Sequence, residues 1–129
     1  MYNKIVISIT LIFLSSMNCT SAQGIEKNNL LENWHLDHYK IGSKEYQPSK
    51  REKNDYLFLI KDMTFSSVSA GKKETGTWKL NINGGYIVMT DNNGEKVKAY
   101  IITLTSKTLI LKYDIEEIRE VEVHYSNRS

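Results

Sequence analysis

The sequence predicts an all-β protein, a small eight-stranded up-and-down antiparallel barrel preceded by an export signal. Three observations carry this. From Trp34 onward, apolar residues recur in short runs, several with strict period two, which is the periodicity of a strand with one buried face. Turn residues separate those runs at short spacing, so successive strands are adjacent and antiparallel. Before them lies one apolar run, Ile5 to Leu14, behind Lys4.

That run spans roughly 15 Å as a helix, about half the hydrocarbon thickness of a bilayer, so it reads as a signal-peptide core and not an anchor. Thr20-Ser21-Ala22 supplies the small residues a signal peptidase reads, which places cleavage after Ala22. The chain divides into residues 1–22, the signal, and residues 23–129, one barrel domain. An exported protein, periplasmic or secreted, is expected. The alternative is lipidation of Cys19, which would attach the barrel to a membrane surface. The residues before Cys19, Ser16 and Asn18, fit a lipobox poorly.

Cys19 is the single cysteine, so an intrachain disulfide is excluded and packing alone must hold the fold. If cleavage follows Ala22, thiol chemistry is excluded as well. Seventeen Lys and Arg against fifteen Asp and Glu leave a net charge of +2, too little to drive nucleic-acid binding. With 40% apolar and 25% charged residues the composition is that of a globular domain.

The elements follow in order. Residues 23–33 are a polar lead-in with one helical turn near Leu30-Leu31. Trp34 to Leu36 opens the first strand, Gly42-Ser43 turns the chain, and 44–47 forms a short strand that Pro48 stops. Residues 49–55 read as a charged, solvated loop. Residues 56–60 are a continuous apolar run; 63–69 follow after Lys61-Asp62, and 74–80 after a turn at Ala70-Gly71. There Trp78 and Leu80 share one face. Asn83-Gly84-Gly85 and Asp91-Asn92-Asn93-Gly94 are hairpin turns bounding 86–90. Strands at 96–104, 107–113 and 120–125 complete a meander of eight or nine. In the last two, Leu109, Leu111 and Tyr113, then Val121, Val123 and Tyr125, point inward. A helix over 115–121 is the competing reading. For 96–104 period two allows either Val97, Ala99 and Ile101 or Tyr100, Ile102 and Leu104 inward. The second set is bulkier and matches the following strand, so it is expected inward, unless a bulge shifts the phase. Such a meander hides its two edges best by closing.

Gly76-Thr77-Trp78-Lys79-Leu80, preceded by Tyr56-Leu57-Phe58, Asp62 and Thr64-Phe65 and followed by Ile101-Ile102-Thr103-Leu104 and Leu109-Ile110-Leu111, resembles the lipocalin-like domains of secreted and surface Bacteroidota proteins. The likeness covers roughly residues 30–125. Two positions depart from that pattern: Glu32 stands where a first-strand Gly is usual, and Asp62-Met63 replaces an Asp-Gly turn. The resemblance implies an eight-stranded barrel, with an apolar ligand at its mouth by analogy of fold.

Candidate chemistry is sparse. His35 and His38, three apart on a strand, are expected on opposite faces, and His124 on the solvent side, so no metal site is expected. Glu116, Glu117, Glu120 and Glu122 read as an exposed turn and outer strand face. Ser66, Ser67, Ser69 and Ser106 lack any nucleophile context. No catalytic residue, metal or cofactor is assigned, and an enzyme is not expected. A buried carboxylate with a raised pKa inside the barrel would be the contrary sign.

The aromatic side chains are the informative remainder. Trp34, Tyr56, Phe58, Trp78, Tyr100, Leu111 and Tyr113 are the expected lining of a ligand site in a largely filled barrel with a shallow mouth. The leading function is a non-enzymatic carrier of a small apolar or amphipathic molecule. The alternative is an envelope interaction or inhibitor module with a filled barrel, gripping another protein through Ile101, Ile110, Tyr86 and Val88. Interior volume discriminates the two.

Overall fold

A computed structural model describes residues 25–128. The signal at 1–22 and Cys19 lie outside the described residues. A short helix α1 (Lys27–Leu30) precedes nine strands: β1 (Asn33–Ile41), β2 (Lys44–Tyr46), β3 (Tyr56–Leu59), β4 (Thr64–Ser69), β5 (Lys72–Asn81), β6 (Tyr86–Asp91), β7 (Lys96–Leu104), β8 (Thr108–Tyr113) and β9 (Glu122–Asn127). All neighbours are antiparallel. β1 pairs with β9, Trp34 opposite Asn127 and Lys40 opposite Glu122, which closes eight strands into a barrel. β2 is the extra strand. β3 pairs with the first part of β1, at Asn33 to His35, and β2 takes the same edge further along, at Tyr39 to Ile41.

The ends of the barrel differ. At one end α1 seals the opening: Leu30 is fully buried, and its carbonyl accepts from Trp34 Nε1 at 3.0 Å. Trp78 fills the same half, its Nε1 donating to the Ile60 carbonyl at 3.1 Å. Both indoles therefore bury their area without orphaning the N–H, which is what makes Trp tolerable in a core. Leu59, Ile87, Leu109 and Leu111 complete the filling. The other end is ringed by the 48–55 loop, the hairpin turns after β4 and β6, and a 3₁₀ turn at Glu116–Ile118. That turn stands where a helix over 115–121 was the competing reading. Val123 and Tyr125 then point inward with Val121 packed beside them, as their alternation predicts.

Two bulges redirect side chains that simple alternation misplaces. In β1 the register shifts between Leu36 and His38, so Asp37 is the extra residue; Leu36 opposes Tyr125 and Tyr39 opposes Val123, both inward-facing. His35 and His38 consequently share the outer face, contrary to their three-residue spacing. In β7 the shift lies between Ile101 and Thr103. Ala99 is fully buried and Ile101 packs on the core, whereas Tyr100 and Ile102 are 39% and 47% exposed. The expected inward set for this strand is thus wrong at Tyr100 and Ile102. Leu104 alone of that set packs on the core, because the bulge restores its phase. The cause is pairing. Ile87, Ala99 and Tyr113 are successive partners across β6, β7 and β8, and directly opposed residues share a face. With Tyr113 inward, Ala99 must be inward too.

Candidate functional site

Between the filled half and the open end lies a cavity of about 640 Å³. This volume falls within the range of small-molecule sites. It also corrects the expectation of a largely filled barrel, since only the α1 half is filled. The floor is apolar: Leu36, Leu57, Phe65, Met89 and Val123. Its room comes from small inward residues. Ser67 and Ser69 face it from β4, and Gly76 leaves Phe65 space from β5. Ile115, Ile118 and Val121 form an apolar lip.

Three tyrosines add the polar groups. Tyr113 and Tyr125 share a hydroxyl–hydroxyl hydrogen bond of 2.6 Å. Burial pushes Tyr113 up to about 12 and Tyr125 well above the ordinary phenol value. Tyr39 donates to Glu52 at 2.8 Å, and burial together with that carboxylate raises its pKa as well. Glu52 in turn accepts from the Ser49 amide at 3.0 Å, and these two bonds hold its carboxyl below the usual value. Asp55, at 6% exposure, is the buried charged residue of the core, with burial raising its pKa. Its Oδ1 accepts from the Ala70 amide at 2.8 Å, and its backbone carbonyl from the Leu36 amide at 3.0 Å. A raised carboxylate inside the barrel is the sign named for an enzyme. Here that carboxylate ties the 48–55 loop to the turn after β4 through the Ala70 amide.

Of the seven residues expected to line a ligand site, Tyr113 lines this cavity. Trp34, Trp78 and Leu111 point inward but are buried in the filled half and do not line it. Tyr56, Phe58 and Tyr100 are corrections: they lie outside the barrel. Leu57 and Leu59 take the inner face of β3, and the Tyr56 and Phe58 rings stack outside at 4.1 Å with His35 edge-on to Phe58 at 5.5 Å. Tyr100 packs against Tyr86 on the outer face, with Lys98 Nζ 4.4 Å from the Tyr86 ring. Tyr86, Val88 and Ile110 face outward as expected, and Ile101 does not.

The residues missed are Tyr39, Glu52, Asp55, Phe65, Met89, Val97 and Tyr125. Val97 and Tyr125 carry a period-two signal. Glu52 and Asp55 carry none, because their loop has the composition of a solvated connection. The histidines do not join the site. His38 stacks on His124 at 4.3 Å on the outer face, with His38 bonded to Asp37 and His124 to Glu122, each at 3.0 Å. Among the described residues no three His, Cys, Asp or Glu side chains gather as a metal site. Glu116, Glu117 and Glu120 are exposed, and Glu122 is half-buried.

Comparison with known families matches residues 30–111 to the model of the lipocalin-like domain. Among solved structures, a lipocalin-like protein from Bacteroides uniformis ATCC 8492 matches with a TM-score of 0.58 at 15% identity, over 77% of this chain and 98% of that one. At that identity the likeness is one of fold. Comparison with curated proteins finds no match.

Proposed function

From the premise that the chain belongs to the lipocalin-like domain family, we propose that it is an exported, non-enzymatic barrel that holds a small apolar or amphipathic molecule in its open half. The observation that carries this reading is the cavity of about 640 Å³, with an apolar floor and a few convergent polar groups. A barrel serving only as an outer-face interaction module has no need of such a hollow, because its interior gains most by being filled. Apolar ligand surface removed from water supplies about 25 cal/mol per Å², enough to bind a molecule of modest size once ordering costs are met. Export is supported by residues 1–22 alone. Its expected signature is an intact mass beginning at Gln23, and a lipid-bearing Cys19 is the competing one.

The binding reading is tested with N-phenyl-1-naphthylamine, a neutral probe whose emission rises out of water. Saturable one-site enhancement is expected, abolished by Val97→Trp, which fills the cavity from β7, and retained by the outer-face variant Tyr100→Ser. Absence of saturable binding, or equal binding by Val97→Trp, would overturn it.

A further inference from the structure

The residues lining the cavity mouth are predominantly acidic, although Lys50, Arg51 and Lys53 stand in the loop that rims it. Five of its side chains are carboxylates, Glu52, Asp55, Glu74, Asp91 and Glu95, against one cation, Lys96, whose Nζ donates to Thr90 Oγ1 at 3.2 Å. The chain as a whole carries +2, so this acidity is local to the mouth. Among the described residues, none of the five carboxylates forms an ion pair.

Three of them are fixed before any ligand arrives. Glu52 is held by Tyr39 and Ser49, Asp55 by the Ala70 amide, and Asp91 Oδ1 by the Asn93 and Glu95 amides at 2.9 Å. Asp55 is the most telling. It is more than nine-tenths buried as a residue and lines the hollow, with Oδ1 taken by the Ala70 amide. Among the described residues no buried side-chain oxygen or nitrogen lacks a partner, so Oδ2 is the oxygen left accessible to an occupant. A buried carboxylate is costly unless a cation or further donors meet it. The floor beneath is mainly apolar, with the Tyr113 and Tyr125 hydroxyls and Ser67 as its polar groups, so an occupant apolar at one end and suited to carboxylates at the other matches it best.

We propose that the cavity selects amphiphiles with a cationic head, alkyl or aryl amines, whose apolar body lies on Phe65 and Met89 and whose ammonium sits among the mouth carboxylates. This deepens the apolar-cavity reading and rests on it. A cation near several carboxylates in a partly desolvated mouth gains more than it would at an open surface, and an anionic head is repelled by the same field.

The test is calorimetric titration of the full chain at pH 7 with decylamine, decanol and decanoic acid, which share one tail and differ in head charge. Decylamine is expected to bind at least about tenfold tighter than decanol, and decanoate weaker than decanol. The double variant Glu74→Gln/Glu95→Gln removes two charges whose side chains make no hydrogen bond among the described residues. It should narrow the amine–alcohol gap at least about threefold while decanol affinity stays unchanged. Decanoate binding as tightly as decylamine, or a gap untouched in the double variant, would overturn the proposal. Equal binding of all three ligands would leave the cavity reading standing and refute the charge selection. Binding of none would refute both.

Discussion

The hydroxyls of Tyr113 on β8 and Tyr125 on β9 meet at 2.6 Å inside the barrel, the Tyr125 hydroxyl lying deep enough that its pKa stands well above 10. One of the two protons is consumed by the pair, and the other remains for an occupant or water. Both phenols are favoured in their neutral form by the fold. The contribution of Tyr113 to stability is fully present below pH 10, the unfolded value, and is lost as pH rises through about 12, where it ionises; that of Tyr125 is likewise lost only well above pH 10. Tyrosinate absorbance should show Tyr39, Tyr113 and Tyr125 ionising only together with the loss of near-ultraviolet circular dichroism. Tyr125→Phe, which removes the pair, should cost about 0.5–1.5 kcal/mol at neutral pH.

Trp78 tests the filled half. Its side chain is 1% exposed and its N–H is bonded to the Ile60 carbonyl. Trp78→Ala should cost about 3–5 kcal/mol in urea unfolding. A loss under about 1 kcal/mol would place Trp78 outside the core.

Gly76 shows where backbone approach sets the sequence. A Cβ there would lie 1.9 Å from the Thr90 carbonyl oxygen and 2.9 Å from Phe65 Cε1. The first of these is backbone and cannot rotate away. Gly76→Ala should destabilise by at least about 2 kcal/mol, at the level of a clear overpacking defect. A neutral result would mean β5 and β6 are further apart than the register with Asp91 requires.

Ala70 points the other way. It holds φ +52° and Gly71 φ +85° in the turn between β4 and β5, a conformation Asn adopts more readily than Ala. Ala70→Asn keeps the amide that Asp55 accepts, and should raise stability by about 0.5–1 kcal/mol in the same melts.

These positions also show what can be read before folding. Strict alternation in 107–113 and 120–125 leaves one phase that buries the apolar set, and Leu109, Leu111, Val123 and Tyr125 take it. Tyr56-Leu57-Phe58-Leu59-Ile60 is apolar on both faces, so alternation cannot choose, and the expectation that Tyr56 and Phe58 line the site put the wrong face inward. The smaller leucines fit the interior, while the aromatic rings stack outside with His35. Bulges at Asp37 and Ile102 have no local signature, since they answer to partners far along the chain. Met63 holds φ +70° where the Asp-Gly turn would place its glycine, and spends that strain on core contact. The carboxylates of the 48–55 loop look like any hydrophilic connection until the barrel closes beneath them. The fold was legible from alternation and turns. The cavity was not, because it depends on which strand phases meet.

An apolar molecule is expected to enter the open half of the barrel. The most direct measurement is an amide chemical-shift titration of ¹⁵N-labelled protein with decanol, whose neutral head separates occupancy from charge. Saturable shifts are predicted at Tyr39, Phe65, Met89, Val97, Tyr113 and Tyr125, with Tyr56, Phe58 and Tyr100 unmoved. Shifts confined to the outer-face residues, or none that saturate, would contradict it.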